Sequence, residues 1–315
     1  MNDAKDLLEQ YLRYCEVEKR LSPRTLAIYR HALDQLQAVC TELGLGPLAL
    51  KSAHVRRWVG QLRTAGRKSN GIALCLSGWR GFYRWAGQQG YLVADPTADV
   101  RAPKRARPLP KALGVDQAQQ LADFVPDAAS DPWLSARDKA MVELLYGCGL
   151  RVSELTGLDR VARSQSKGWL DLDEGMAYVT GKGSKRRSVP LGPPAIAAVR
   201  AWLALAPPRF GADLMELSPL FSGQNGTRLT AQSIWARLRR WGQQAGLAGA
   251  VHPHMLRHSF ASHILQSSGD LRAVQELLGH ANIATTQVYT RLDFQHLSAS
   301  YDKAHPRAKR GDSRP

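Results

Sequence analysis

Trp169-Leu-Asp-Leu-Asp-Glu-Gly-Met-Ala-Tyr-Val-Thr-Gly-Lys-Gly-Ser-Lys-Arg-Arg-Ser-Val-Pro-Leu191 is where the period of this chain changes. Three short runs, Trp169 to Leu172, Ala177 to Thr180 and Ser188 to Leu191, are separated by turn residues, with Gly181-Lys-Gly-Ser-Lys185 as a tight loop in the middle. Such runs, bounded by glycine, read as strands joined by hairpins, so a small antiparallel sheet is expected here. On either side the pattern is helical. Upstream, Asp116 starts a helix, Arg137 to Tyr146 forms a second that ends at Gly147-Cys-Gly149, and Val152 begins another. Downstream, helices are expected from about Pro194, Ser233, His254, Leu271 and Ala284. Residues 112–304 thus read as a domain that is mainly α with a small antiparallel β-sheet. Residues 305–315, which open with His305-Pro-Arg-Ala-Lys-Arg310, read as a flexible basic tail.

Before this domain the chain is helical throughout. Leu8, Tyr11, Leu12 and Cys15, then Leu26, Tyr29, Leu33 and Leu36, recur at spacings of three and four. Val55, Trp58, Val59 and Leu62 form one further stripe, and Ile72, Cys75, Leu76, Trp79, Phe82 and Tyr83 another. Ser22-Pro23 has the chemistry of a helix start, because the serine oxygen accepts an unpaired N–H and proline needs none. Residues 1–98 are therefore expected as a bundle of four or five helices, with Trp79, Phe82, Tyr83 and Trp85 in its core rather than stacked on a ligand. Between the two domains lies a linker, 99–111. Its stretch Arg101 to Lys111 has three prolines, five basic residues and no acid. Arg101, Lys104, Arg105 and Arg107 either lie along a phosphate backbone or belong to a solvated tether, and composition alone does not choose.

With 315 residues the chain is long enough for two ordinary domains. Its 43 Lys and Arg against 27 Asp and Glu give a net charge of +16, which points to a polyanionic partner. Cys15, Cys40, Cys75 and Cys148 have no CxxC spacing and sit in apolar helical patterns, so they read as reduced core thiols in a cytoplasmic protein. No apolar run of signal-peptide or membrane-spanning length appears near Met1 to Gln10. Neither GxxxxGK[ST] nor a strand-linked GxGxxG occurs, so no nucleotide cofactor is expected.

Opening a phosphodiester needs positive charge at the non-bridging oxygens, a nucleophile and a proton for the departing oxygen. Each need has a candidate. Arg151 and Arg257 present planar forks of donors suited to phosphate, and Lys182, in the hairpin, can deliver a proton. Tyr289 can serve as a nucleophile once activated, by neighbouring histidines such as His254 and His280 or by the cationic clamp. Taken singly, each has an ordinary reading: Arg151 could simply pair with Glu154 at i+3, and Tyr289 could be a core aromatic. His258, followed by Ser259-Phe260-Ala261, reads as packed behind the site. Lys185, Arg186 and Arg187 read as phosphate-positioning or solvated residues. His254 and His258 have an i,i+4 spacing, but no Glu stands between them and Arg257 would repel a dication, so no metal is expected.

In this order, Arg151, Lys182, His254-x-x-Arg257, His280 and Tyr289 resemble the catalytic set of the tyrosine recombinase (phage integrase) family. Arg257 and His280 are 23 positions apart and His280 and Tyr289 nine, as in that family. Leu21-Ser-Pro-Arg-Thr-Leu26 resembles the start of the family's core-binding domain, a SAM-like helical bundle. Leu292-Asp-Phe-Gln-His-Leu297, Tyr301-Asp-Lys and Ala304-His-Pro-Arg-Ala308 are similar to the Xer recombinases, and to their XerC branch in particular. The resemblance implies that Tyr289 attacks DNA to form a 3′-phosphotyrosine and a free 5′-hydroxyl, without metal or ATP. It makes Arg151, Arg257 and His280 transition-state stabilisers, Lys182 the acid for the 5′-oxygen, His254 an aid to proton transfer at the tyrosine, and Glu154 a supporting acid. It further implies a C-shaped clamp on double-stranded DNA, and a tetramer of two protomers of each kind, in which the last helix, around Leu292 to Tyr301, docks into a neighbour. The partner would be a XerD-type recombinase at dif sites, with a septal DNA translocase as activator, resolving chromosome dimers at cell division. One departure is visible: Arg160 to Gly168 is several residues longer than usual, which puts Lys182 31 positions beyond Arg151. The rivals are a mobile-element integrase with the same chemistry and a non-catalytic DNA-binding regulator with the same fold.

Overall fold

The computed structural model describes residues 2–103, 112–127, 130–181, 186–205, 219–278 and 305–307. It divides into two compact units, Met1–Pro108 and Leu109–Pro315.

In the first unit, helices α1 (Asn2–Val17), α2 (Pro23–Leu43), α3 (Ser52–Thr64) and α4 (Ser69–Gln88) form a bundle, with a single 3-10 turn at Pro47–Ala49. Ser22 caps α2 as its sequence predicts: its hydroxyl accepts from the Thr25 N–H at 3.3 Å. Gly44 ends the helix in the left-handed region, at φ 65°. The apolar stripe of α4, from Ile72 through Trp85, is buried. Trp79 donates to the Ala32 carbonyl at 2.7 Å and stacks on Trp58 with 4.1 Å between ring centroids. Both the ring area and the satisfied indole N–H tie α4 to its neighbours.

The second unit is built on α6 (Pro132–Gly147). Asp131 caps it, accepting from the N–H groups of Trp133 and Leu134. From Arg137 to Gly147 nearly every residue is buried, because other helices cover this one on all sides. Around it lie α5 (Val115–Asp123), α7 (Val152–Thr156), α8 (Pro193–Ala204), α9 (Ala231–Gln244) and α10 (Pro253–Ser268), followed by α11 (Leu271–Leu278). Two buried acids on α6 are matched by arginines: Asp138 by Arg137 and Arg237, and Glu143 by Arg307. All four cysteines are buried and free. No helix among the described residues is long and apolar enough to cross a membrane.

Among the described residues the sheet has four strands in the order β1 (Leu158–Asp159), β2 (Gly168–Asp171), β3 (Met176–Thr180) and β4 (Arg186–Pro190). The β2–β3 and β3–β4 pairs are antiparallel, as expected from the hairpin pattern. The short β1 adds a parallel edge, Leu158 opposite Gly168, so the sheet is mixed. Two residues carry no periodic signal, and the pairing is fixed by the Arg160 to Lys167 loop that returns the chain beside itself. Alternation puts Ala177, Val179 and Val189 on the core side.

Residues 305–307 depart from the flexible tail expected of them. His305 is 1% exposed, with its ring against Tyr146 and Phe260, and Arg307 bonds Glu143 and Asp123. Two carboxylates and two aromatic faces hold a segment whose local composition looks fully solvated.

Candidate active site

Glu154 lies at the centre of the site. At the first turn of α7 its carboxylate accepts from the Arg151 N–H at 2.7 Å, as a residue at this helical position commonly does. The same carboxylate pairs with the Arg151 guanidinium at 2.8 Å and lies 3.9 Å from that of Arg257. Arg187, from β4, donates to both of its oxygens, one of them at 3.1 Å. Burial alone would raise the Glu154 pKa, but the bonds from Arg187 and Arg151 outweigh it and hold the group below its ordinary value. Three guanidiniums around one carboxylate leave the cluster net positive.

Arg257 is carried by α10 and reaches two backbone carbonyls. Nη1 donates to Gly149 and Nη2 to Leu278, the last residue of α11. A guanidinium has five N–H groups, more than these two bonds use, so it can fix its plane on the protein and still offer donors to a phosphate. Burial, with Arg151 beside it, pushes Arg257 down to about 9. An anion placed between the two arginines would relieve that repulsion.

Gly149 makes this geometry possible. Its φ of 60° belongs to the left-handed region, and a Cβ there would come within 2.4 Å of the Phe260 ring. Only glycine turns the chain here while presenting its carbonyl to Arg257.

His254, one helical turn before Arg257 on α10, is exposed. Its imidazole meets Trp235 of α9 edge-on, centroids 6.3 Å apart, and His252 stacks on the same indole at 4.8 Å. Neither Trp235 nor His252 stands out in the sequence, because the contact joins two helices. His258 is exposed, which corrects the expectation that it packs behind the site. Ser259 and Phe260, which follow it, face inward instead.

Arg187 also departs from its expected role as a phosphate contact. Its side chain is 8% exposed, committed to Glu154 and, through Nε, to the Leu277 carbonyl at 3.2 Å. The sequence held a signal for this: Arg187 stands two positions before buried Val189, hence on the core side of the strand, whereas Arg186 is exposed. Arg101 is exposed as well. Lys104, Arg105, Arg107, Lys182, Lys185, His280 and Tyr289 lie outside the described residues. The structure thus brings together Arg151, Glu154 and Arg257, with His254 on the helix of Arg257. It adds Arg187 to them.

Residues 111–296 match the model described as "Phage integrase family", and residues 8–90 match "Phage integrase, N-terminal SAM-like domain". The chain belongs to the phage integrase family. Among curated relatives, Tyrosine recombinase XerC 1 of Ralstonia nicotianae is 48% identical over 309 residues, covering 95% of this chain and 93% of that protein. Tyrosine recombinase XerC of Shigella flexneri is 46% identical over 312 residues, 99% of this chain and 100% of that protein. This integrase-family chain is accordingly a XerC-like enzyme of site-specific DNA recombination. Solved structures share its fold. A Tn1549 transposon integrase in complex with a circular intermediate DNA has a TM-score of 0.66 at 17% identity, with 88% of this chain and 92% of that one covered. A lambda integrase dimer bound to a COC′ core site has 0.60 at 18% identity, with 90% and 99% covered.

Proposed function

We propose that this recombinase cuts and rejoins one DNA strand at a time through Tyr289, with Arg151 and Arg257 as the clamp on the scissile phosphate. The observation that carries the reading is the convergence of these two arginines on Glu154, beside a helix that also presents His254. Clustered cations around a single acid suit a phosphate whose charge grows as the bond is broken. In the proposed step the Tyr289 oxygen forms a bond to phosphorus while the bond to the 5′-oxygen breaks. The tyrosine proton passes toward His254, His280 supports the equatorial oxygens, and Lys182 protonates the departing 5′-oxygen. The phosphotyrosine keeps the energy of the broken ester, so a 5′-hydroxyl can reverse the step without ATP.

The substrate in this reading is a double-stranded dif-like site, bound by 1–98 and 112–304 with Arg101, Lys104, Arg105, Arg107, Lys185 and Arg186 on its phosphates. The working assembly is a cytoplasmic heterotetramer with a XerD-type recombinase, under a septal DNA translocase, that resolves chromosome dimers. Relatives of XerC type matching along the full chain support this.

The test is a nicked duplex carrying a dif-like site, incubated with the protein and run on a denaturing gel. A covalent adduct is expected with the natural chain and none with Tyr289→Phe. An adduct that survives this substitution overturns the assignment.

A further inference from the structure

We propose that Arg187 is a positioning residue for cleavage, which couples the strand behind the Lys182 hairpin to the arginine clamp and to the end of α11. The inference rests on the reading that Arg151 and Arg257 hold the scissile phosphate.

The geometry carries it in three parts. First, Arg187 gives Glu154 a two-pronged partner, both terminal nitrogens donating to the two carboxylate oxygens. Glu154 in turn holds Arg151 by backbone and side chain. A carboxylate left in this buried place without Arg187 would be free to turn or to take up a proton, and the plane of Arg151 would loosen with it. Second, Arg187 Nε and Arg257 Nη2 donate to neighbouring carbonyls, Leu277 and Leu278, at the C-terminal end of α11. Leu278 precedes Gly279 and His280 in the sequence, so the two arginines hold the residues that lead to them. Third, Arg187 lies on β4, five residues after Lys182, and its burial fixes that strand against the clamp. Strand β4, the arginine clamp and the last residues of α11 therefore meet at one guanidinium.

A positioning residue and a phosphate contact give different measurements. A phosphate contact contributes to affinity and to its salt dependence, the slope falling by about one unit when it is lost. A positioning residue leaves both alone and slows cleavage of bound DNA. For Arg187→Gln we expect affinity for the dif-like duplex within about twofold and an unchanged salt slope. Single-turnover adduct formation at saturating DNA should fall by about ten- to a hundredfold, a loss of roughly 1.4–2.7 kcal/mol in transition-state stabilisation. The acid limb of the cleavage profile should move to higher pH, because Glu154 loses the first of the groups that hold its pKa down. Arg187→Lys should recover only part of the rate, since one ammonium cannot span Glu154 and the Leu277 carbonyl. Combined with Glu154→Gln, the loss should be no greater than that of the worse single variant.

Cleavage at the natural rate by Arg187→Gln overturns the proposal. So does a lower salt slope with full cleavage at saturation, or fully additive losses with Glu154→Gln. If Arg187→Gln does not fold, Arg187→Lys decides alone, and natural-rate cleavage by it is the overturning result. Absence of an adduct from the natural chain would instead overturn the functional reading itself.

Discussion

Gly149 shows how much one residue can settle. Its left-handed φ and its approach to the Phe260 ring leave no room for a side chain, and its carbonyl is one of the two that orient Arg257. Gly149→Ala should cost about 1–3 kcal/mol from backbone strain alone, with more if Phe260 must move. Thermal unfolding measures that cost. Cleavage should fall further than stability, because the carbonyl shifts with the turn. A variant that unfolds and cleaves like the natural chain would mean that neither the turn nor the contact matters. The same scale separates what is local from what is not. The pairing of Arg151 with Glu154 spans three positions and can be read from the sequence. That of Arg187 with Glu154 spans 33, and only alternation relative to Val189 hints at it.

At the scale of elements, α10 faces two ways. Arg257 reaches Glu154 and the Gly149 carbonyl, with His254 one turn before it, while Ser259 and His263, one turn apart on the opposite side, hold the segment that enters this unit. Ser259 accepts from the Leu113 N–H at 2.8 Å, and His263 Nε2 meets the Leu113 carbonyl at 3.0 Å. A carbonyl can only accept, so Nε2 carries the hydrogen and Nδ1 accepts from the Tyr146 hydroxyl at 3.1 Å. Burial keeps this imidazole below its ordinary pKa and neutral. Ser259→Ala leaves the Leu113 N–H buried and unpaired, at a cost of about 1–3 kcal/mol. Chemical denaturation should show that loss, with faster amide exchange at Leu113. Unchanged exchange there would mean that another acceptor takes over. The helices themselves were largely legible, since periodicity and caps such as Ser22 and Asp131 act over a single turn. The parallel edge strand β1 was not, because two residues have no period.

At the scale of the whole molecule, residues 305–307 return to the second unit from the far end of the chain. His305 is enclosed between Tyr146 and Phe260, where burial, with His263 and Arg307 nearby, pushes it down to about 3. An imidazole released from this place would titrate near its ordinary value of about 6.5. The released state therefore binds more protons between these values, so docking is fully favoured above about pH 6.5 and weakens as pH falls toward 3. In a proton NMR titration, the His305 ring signal should not move down to about pH 4 while the segment is docked. A midpoint near 6.5 would contradict the docking. The sequence by itself determined the helical bundle and the hairpins of the sheet, because these follow from periodicity, and it singled out Arg151, Glu154 and Arg257, which the structure brings together. Only the tertiary structure decided the inward turn of Arg187, the need for glycine at 149, the Trp235 ring beside His254 and the enclosure of His305. Each of these depends on a partner far away in the chain, and a partner's distance in space is not written in local composition.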